Sequence, residues 1–302
     1  MNYFKKSSYY VGILIALIFS FQCRYLFAET YTDDLGRKVK IKPSPQRIVS
    51  LAPHITEILF AIGLKEQVVG VTQFSDYPDE AKSRAIVGSY INLNLEKIVA
   101  LKPDLIISTS DGNPKENIDR LTSTGLPVFV ISPLEDIDAI IGSILTIGRI
   151  SMREIEAERL VHTMKGRIGN VMSRLKGVRP RSVFYQLGDN PLMTAGENTF
   201  INSLIEMAGG RNIAGGHKVR YPRFSMEEVL ASSPEVIIIS SMADKTVSDK
   251  ALKKWERWKD IQAVKNGEIH FINPDLIHRP GPRIVEGFEG LARMIHPERF
   301  PL

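Results

Sequence analysis

Within residues 153–176, REIEAERLVHTMKGRIGNVMSRLK, an apolar side chain returns every three or four positions: Ala157, Leu160, Val161, Met164, Ile168, Val171, Met172 and Leu175. That period lays them along one face of a helix. Glu154, Glu156 and Glu158 stand early and Lys165, Arg167, Arg174 and Lys176 late, the order that a helix dipole favours. At about 1.5 Å per residue the stretch would run roughly 36 Å, longer than most globular helices. Gly166 and Gly169 each weaken it by about 1 kcal/mol relative to Ala, so packing has to support it. Strands and helices alternate on both sides of it. The expectation is an α/β protein of two Rossmann-like lobes joined by one long backbone helix.

Upstream, RIVSL at 47–51 reads as a buried strand ended by Ala52-Pro53, followed by a helix over 55–62 that Gly63 stops. Residues 68–72, 105–108 and 128–131 read as further strands, with helices over 94–101 and up to Gly125 between them. Ser75-Asp76-Tyr77-Pro78 and Asp111-Gly112-Asn113-Pro114 carry turn chemistry. Downstream, strands are expected at 182–187, 236–240 and 269–272, and helices at 198–207, 255–264 and 283–295. Short apolar strands alternating with helices indicate parallel pairing covered by helices.

One repeat ties the halves together. Residues 94–104, NLEKIVALKPD, align without a gap to residues 225–235, SMEEVLASSPE. Each has an N-cap residue, a Glu two positions later, an apolar face, a Pro and then an apolar strand. The second carries a capping box, Ser225 with Glu228. The lobes are therefore expected to be pseudo-equivalent, with Glu96 and Glu227 in matching places. Dipole complementation alone would account for both at about 0.3–1 kcal/mol each. The functional alternative is a pair of acidic knobs offered to a partner that touches both lobes, where charge sets register and encounter rate.

The 302 residues, 43% hydrophobic and 24% charged, are of globular composition. Residues 1–28 resemble a secretory signal: Lys5 and Lys6, an apolar run over 11–21, then Leu26-Phe27-Ala28 before the cleavage point. The run is short of the roughly 20 residues that span a bilayer. Cys23, the sole cysteine, follows Gln22 rather than a small residue, which argues against lipid attachment. Taking the three cations of the leader (Lys5, Lys6 and Arg24) from the formal +5 leaves +2 for the rest. No basic block suggests a nucleic-acid partner. The expected organisation is a signal peptide at 1–28, a first lobe at 29–152, a connecting helix at 153–177 and a second lobe at 178–302. An export signal on a body with no second hydrophobic span implies a periplasmic or extracellular protein.

Catalytic motifs are missing. The sequence has no GxSxG and no phosphate-binding loop, and Gly209-Gly210 with Gly215-Gly216 lacks dinucleotide-site spacing. The six histidines, His54, His162, His217, His270, His278 and His296, include no HxxxH or HxH pair, so no metal site is expected. His54 stands alone at a helix start. A cleft between two lobes is a usual small-molecule site. Loops at strand ends would line it with Phe74, Tyr77, Tyr90, Tyr221, Asp275, His278 and Arg279. Aromatic faces with a few polar groups suit a large ring-bearing ligand.

The motifs at 47–53, Thr56-Glu57, Ser75-Asp76-Tyr77-Pro78 and 94–107 resemble the helical-backbone substrate-binding proteins of ABC importers, which take up vitamin B12, haem and ferric siderophores. The likeness extends over nearly all of the chain after the leader. It is strongest to the members that bind vitamin B12: Gln186, Gly188, Asn190-Pro191 and Thr194-Ala195-Gly196 fall on a comparable strand and loop. The resemblance implies little closure on binding and no cofactor. It assigns ligand contacts to Phe74, Tyr90, Tyr221, Asp275 and Arg279, and docking on permease arginines to Glu96 and Glu227. Thr109 and Leu187 stand where aromatics are expected, and Tyr90 and Tyr221 where tryptophans are. Arg220, Arg223 and Arg279 would suit an anionic iron chelate. The expectation is a monomeric periplasmic protein, not an enzyme, that carries a corrinoid to an ABC importer. A haem or ferric siderophore carrier is the alternative; a tetrapyrrole chelatase dependent on His54, or a sensor domain, come from other classes.

Overall fold

A computed structural model describes residues 28–240 and 248–301. The leader up to residue 27, including Cys23, lies outside them. The chain forms two compact α/β units. One comprises the residues up to Pro133 with Thr146–Glu156, the other Leu134–Leu145 with those from Ala157 onward.

In the first unit β1 (Glu29–Thr32) and β2 (Lys38–Ile41) form an antiparallel hairpin. Then β3 (Ile48–Ser50), β4 (Val68–Val71), β5 (Ala85–Ile86), β6 (Leu105–Thr109) and β7 (Val128–Ile131) make a parallel sheet in the order β5-β4-β3-β6-β7. Every residue of the central strands β3 and β6 is buried, as a parallel sheet covered on both faces requires. Helices Pro53–Ala61, Leu95–Ala100 and Lys115–Ser123 make the connections.

The edge strand β7 is also buried throughout, because the hairpin turn seals it. Asp34 N–H donates to the Val130 carbonyl at 3.1 Å, and Ser132 N–H to the Asp34 carboxylate at 2.7 Å. The buried Asp33 carboxylate accepts from Arg37 Nε and Nη2 (2.9 and 2.6 Å), from Leu35 and Arg37 N–H, and at 3.4 Å from Val130 N–H. Arg37 Nη2 then reaches the Val128 carbonyl at 3.1 Å. An open edge is a pairing hazard, and here its polar groups are taken. Asp33→Ala strands a half-buried guanidinium and several N–H groups, so unfolding free energy is expected to fall by about 2–3 kcal/mol. Urea denaturation checks this, and a loss below about 0.5 kcal/mol would show that the turn does not seal the edge.

In the second unit the strands are β8 (Arg181–Gln186), the two-residue pair β9 (Gly188–Asp189) and β10 (Leu192–Met193), β11 (Gly210–Asn212), β12 (Val236–Ile239) and β13 (Ile269–Phe271). The parallel sheet runs β11-β8-β12-β13. Phe184 of β8 lies 5.8 Å, centroid to centroid, from both Phe224 and Trp255.

The two sheets share one plan: β4-β3-β6-β7 matches β11-β8-β12-β13. The sequence repeat holds in three dimensions. Asn94 and Ser225 cap helices Leu95–Ala100 and Met226–Ser232 by accepting the Lys97 and Glu228 N–H groups at 2.9 and 3.2 Å. Lys102 and Ser233, at matching positions, both take positive φ (47° and 37°) ahead of a proline. The next residue is a carboxylate in each block. Asp104 accepts the Arg47 N–H at 2.8 Å beside β3, and Glu235 accepts the Ser182 N–H at 2.9 Å beside β8. Arg179 also forks onto Glu235 and is the main reason its carboxyl is held down to about 2.

The long helix spans Glu154–Arg174, the longest among the described residues. Ala157, Val161, Met164, Ile168 and Val171 form its buried stripe, whereas Met172 is exposed. Arg167 grips Glu289 of helix Ile284–Ile295 through Nε and Nη2 at 2.9 and 2.8 Å. Several elements depart from the sequence reading. Helix Ile137–Ile150 was not anticipated. The single helix expected over 255–264 is instead the end of Ser248–Trp255 and a new turn, Gln262–Asn266. The break is stabilised by the second turn's own partners: Gln262 N–H donates to Ser233 Oγ (3.1 Å) and Ala263 N–H to the Pro234 carbonyl (2.9 Å).

Candidate functional site

Open parallel sheets bind ligands beyond the carboxyl ends of their strands. In the first unit Phe74 follows β4 and Tyr90 follows β5, and those strands are neighbours. Gln73 N–H donates to the Gly88 carbonyl at 2.9 Å, joining the two loops. The Thr72 and Ser75 hydroxyls, 2.8 Å apart and buried, stiffen the turn that leaves Phe74 exposed. Tyr90 is fixed from another direction: its hydroxyl donates to the Asp111 carbonyl and its ring fills the space a Gly112 side chain would need. Gly112 also sits at φ +126°, where glycine alone is at ease. Asn113, buried, completes the knot by donating to the Tyr90 and Leu51 carbonyls (2.8 and 3.0 Å) and accepting from Thr109 N–H (3.0 Å). Its role was not read from the sequence, where 111–114 gave only a turn signal.

In the second unit the same edge carries Tyr221 after β11, exposed, with Arg220 6.0 Å over its ring. After β13, Asp275 and Arg279 form an ion pair at 3.2 Å across one helical turn. Between them in sequence, His278 Nε2 faces the Tyr185 hydroxyl at 3.2 Å and Ser240 Oγ at 3.4 Å. Its Nδ1 is buried with no hydrogen-bond partner, and burial pushes the ring's pKa down to about 4. Burial likewise raises the Tyr185 hydroxyl well above the ordinary phenol. At neutral pH this corner holds neutral imidazole and neutral phenol. The sheet order β8-β12-β13 assembles it, and the separation of 93 positions from Tyr185 to His278 hides it from the sequence.

Glu96 and Glu227 are exposed second residues of matching helices. Neither makes its helix's cap, which falls to Asn94 and to Ser225 with Glu228. His54 is buried at the start of Pro53–Ala61 with Nε2 unpartnered, and burial alone lowers its pKa to about 4. Among the described residues no group of His, Cys, Asp and Glu is placed to hold a metal ion, and no helix is long and apolar enough to cross a membrane.

The two units thus repeat one α/β plan, and each carries an exposed aromatic residue beyond the carboxyl ends of its strands, Phe74 in the first and Tyr221 in the second. The chain belongs to the periplasmic binding protein family, whose pattern matches residues 48–276. It is 33% identical over 250 residues to the vitamin B12-binding protein of Vibrio cholerae, an alignment covering 82% of this chain and 88% of the relative. It is also 33% identical over 281 residues to the uncharacterized ABC transporter substrate-binding lipoprotein YvrC of Bacillus subtilis, covering 91% of this chain and 88% of that protein. Among solved structures, the periplasmic vitamin B12-binding protein BtuF of Vibrio cholerae superposes with a TM-score of 0.77 at 30% identity, over 85% of this chain and 99% of its own. The periplasmic haem-binding protein RhuT from Roseiflexus sp. RS-1, in apo form, gives 0.74 at 28%, over 84% and 99%.

Proposed function

We propose that this protein is exported through residues 1–28, captures a corrinoid and delivers it to an inner-membrane ABC importer. Phe74 and Tyr90 of the first unit and Tyr221, Asp275 and Arg279 of the second hold the ligand; Glu96 and Glu227 dock on the permease. The protein makes and breaks no bond. The observation that carries the reading is the exposure of Phe74 and Tyr221, 55% and 41%, beyond strand carboxyl ends. Exposed rings on hydrogen-bonded loops are ready to stack on a large ligand without further ordering. The likeness to vitamin B12-binding relatives supports the choice of ligand.

Calorimetric titration of residues 29–302 with cyanocobalamin, beside haemin and a ferric hydroxamate, tests it. One-to-one saturation by cyanocobalamin is the expected result, with Tyr90→Ala and Tyr221→Ala each binding about tenfold more weakly. Variants that bind as tightly as the parent would remove both tyrosines from the site. A haem carrier is the second reading, supported by the likeness to RhuT; saturation by haemin alone would select it.

A further inference from the structure

The second unit carries a segment whose charge its own fold leaves unanswered. Residues 217–223, HKVRYPR, contain four basic side chains and no acid. Four arginines elsewhere in this unit meet carboxylates: Arg167 with Glu289 at 2.8 Å, Arg179 with Glu235 at 2.6 Å, Arg181 with Glu268 at 3.5 Å and Arg279 with Asp275 at 3.2 Å. Lys218, Arg220 and Arg223 have no carboxylate within ion-pair distance among the described residues. The nearby Glu228 carboxylate is engaged by the Ser225 N–H at 2.7 Å. Arg220 is half-buried, and its Nε is buried with no acceptor. A guanidinium N–H out of reach of water and without an acceptor is a standing cost that a ligand oxygen would relieve.

The segment is also built rather than loose. Gly196 N–H donates to the Arg220 carbonyl at 2.8 Å, Glu197 N–H to His217 at 2.8 Å, Thr194 N–H to Pro222 at 3.2 Å and Phe224 N–H to Leu192 at 2.9 Å. Met193 and Arg223 form an antiparallel bridge. A side chain at Gly196 would strike the Val219 and His217 carbonyl oxygens, so that glycine permits the close approach. Asn212 at the end of β11 pins the ribbon from below, donating to the Ala195 carbonyl at 2.7 Å. Lys218, Arg220 and Arg223 are thereby mounted on a hydrogen-bonded ribbon that also carries Tyr221.

We infer that this ribbon recognises an oxyanion on the ligand, and that the ligand is therefore a complete corrinoid, gripped through the phosphodiester of its nucleotide tail by Arg220 and Arg223. The inference rests on the corrinoid reading above and narrows it: a tail-less corrinoid offers the ring but no anion. Guanidinium groups pair with phosphate oxygens by charge-assisted hydrogen bonds that a neutral ligand edge does not supply.

The test compares cyanocobalamin with dicyanocobinamide, which lacks the phosphodiester, by calorimetry on residues 29–302. The parent protein is expected to bind cyanocobalamin at least tenfold more tightly, with the preference shrinking as salt rises. In the Arg220→Gln/Arg223→Gln variant the two ligands should bind within about twofold of each other, and binding of cobinamide by that variant shows that it is folded. Arg220→Lys, which keeps the charge, should retain part of the preference. Equal binding of both ligands by the parent, or a preference that survives the double substitution, overturns the inference and leaves the corrinoid reading standing. Binding of neither ligand overturns both.

Discussion

Reversing Glu96 and Glu227 together to lysine is expected to cut uptake of labelled cobalamin by cells at least 100-fold while leaving ligand affinity within about twofold. The structure separates the two effects. Both carboxylates are exposed, and neither takes part in its helix's cap. Loss of dipole complementation costs about 0.3–1 kcal/mol for each helix, too little to unfold a lobe. On the proposed docking a lysine at either place would meet a permease arginine, and like charges juxtaposed at an interface cost several kcal/mol. Because the helices occupy matching places in the two units, each single reversal should remove roughly half of the docking free energy, about tenfold in uptake apiece. Unchanged uptake by the double variant, at normal abundance in the cell, would dismiss these residues as docking points.

Acid should destabilise the protein between pH 6.5 and 4, and His54 should account for much of it. The ring is buried and its pKa is depressed to about 4. In the unfolded chain the imidazole takes a proton near 6.5; in the folded protein it resists until about 4. Stability is therefore complete above pH 6.5, falls as pH drops through that window and levels off below it. A displacement of this size corresponds to about 3 kcal/mol. His54→Met removes the titrating group and an unpartnered buried nitrogen together, so at pH 7.5 it should be neutral or stabilising. The decisive quantity is the difference in urea unfolding free energy between the parent and His54→Met at pH 7.5, 5.5 and 4.0. A difference that does not change across that range would mean the ring is solvated in both states. Retained ligand binding by the variant would also place His54 outside the working site.

Much of the architecture was legible because central strands announce themselves. Residues 128–131 and 236–239 are unbroken apolar runs, and each is a strand buried from end to end. The repeat was legible for a related reason: its cap, proline and carboxylate are local signals, and the pairing of Asp104 and Glu235 with the neighbouring strand reproduces them in space. What stayed hidden depends on distant neighbours. Gly210-Arg211-Asn212 has no apolar signature, and it is a strand because it pairs with β8. Helix Ile137–Ile150 is crowded with β-branched isoleucines, whose intrinsic preference points to strand. In the candidate site the aromatic residues could be named from the sequence. The packing of Tyr90 on Gly112, the Asn113 knot and the His278–Tyr185–Ser240 corner could not, since each joins segments more than 20 residues apart.

The sealed edge of β7 sets an order of events. Asp33, Asp34 and Arg37 stand early in the chain, yet they have partners between Val128 and Ser132, more than 90 residues later. Until those residues emerge, the Asp33 carboxylate has only the local Leu35 and Arg37 donors, and the first sheet lacks its last strand. The first unit therefore completes its sheet only once some 130 residues are available, which makes its folding a late, cooperative closure rather than a growth from the N-terminus.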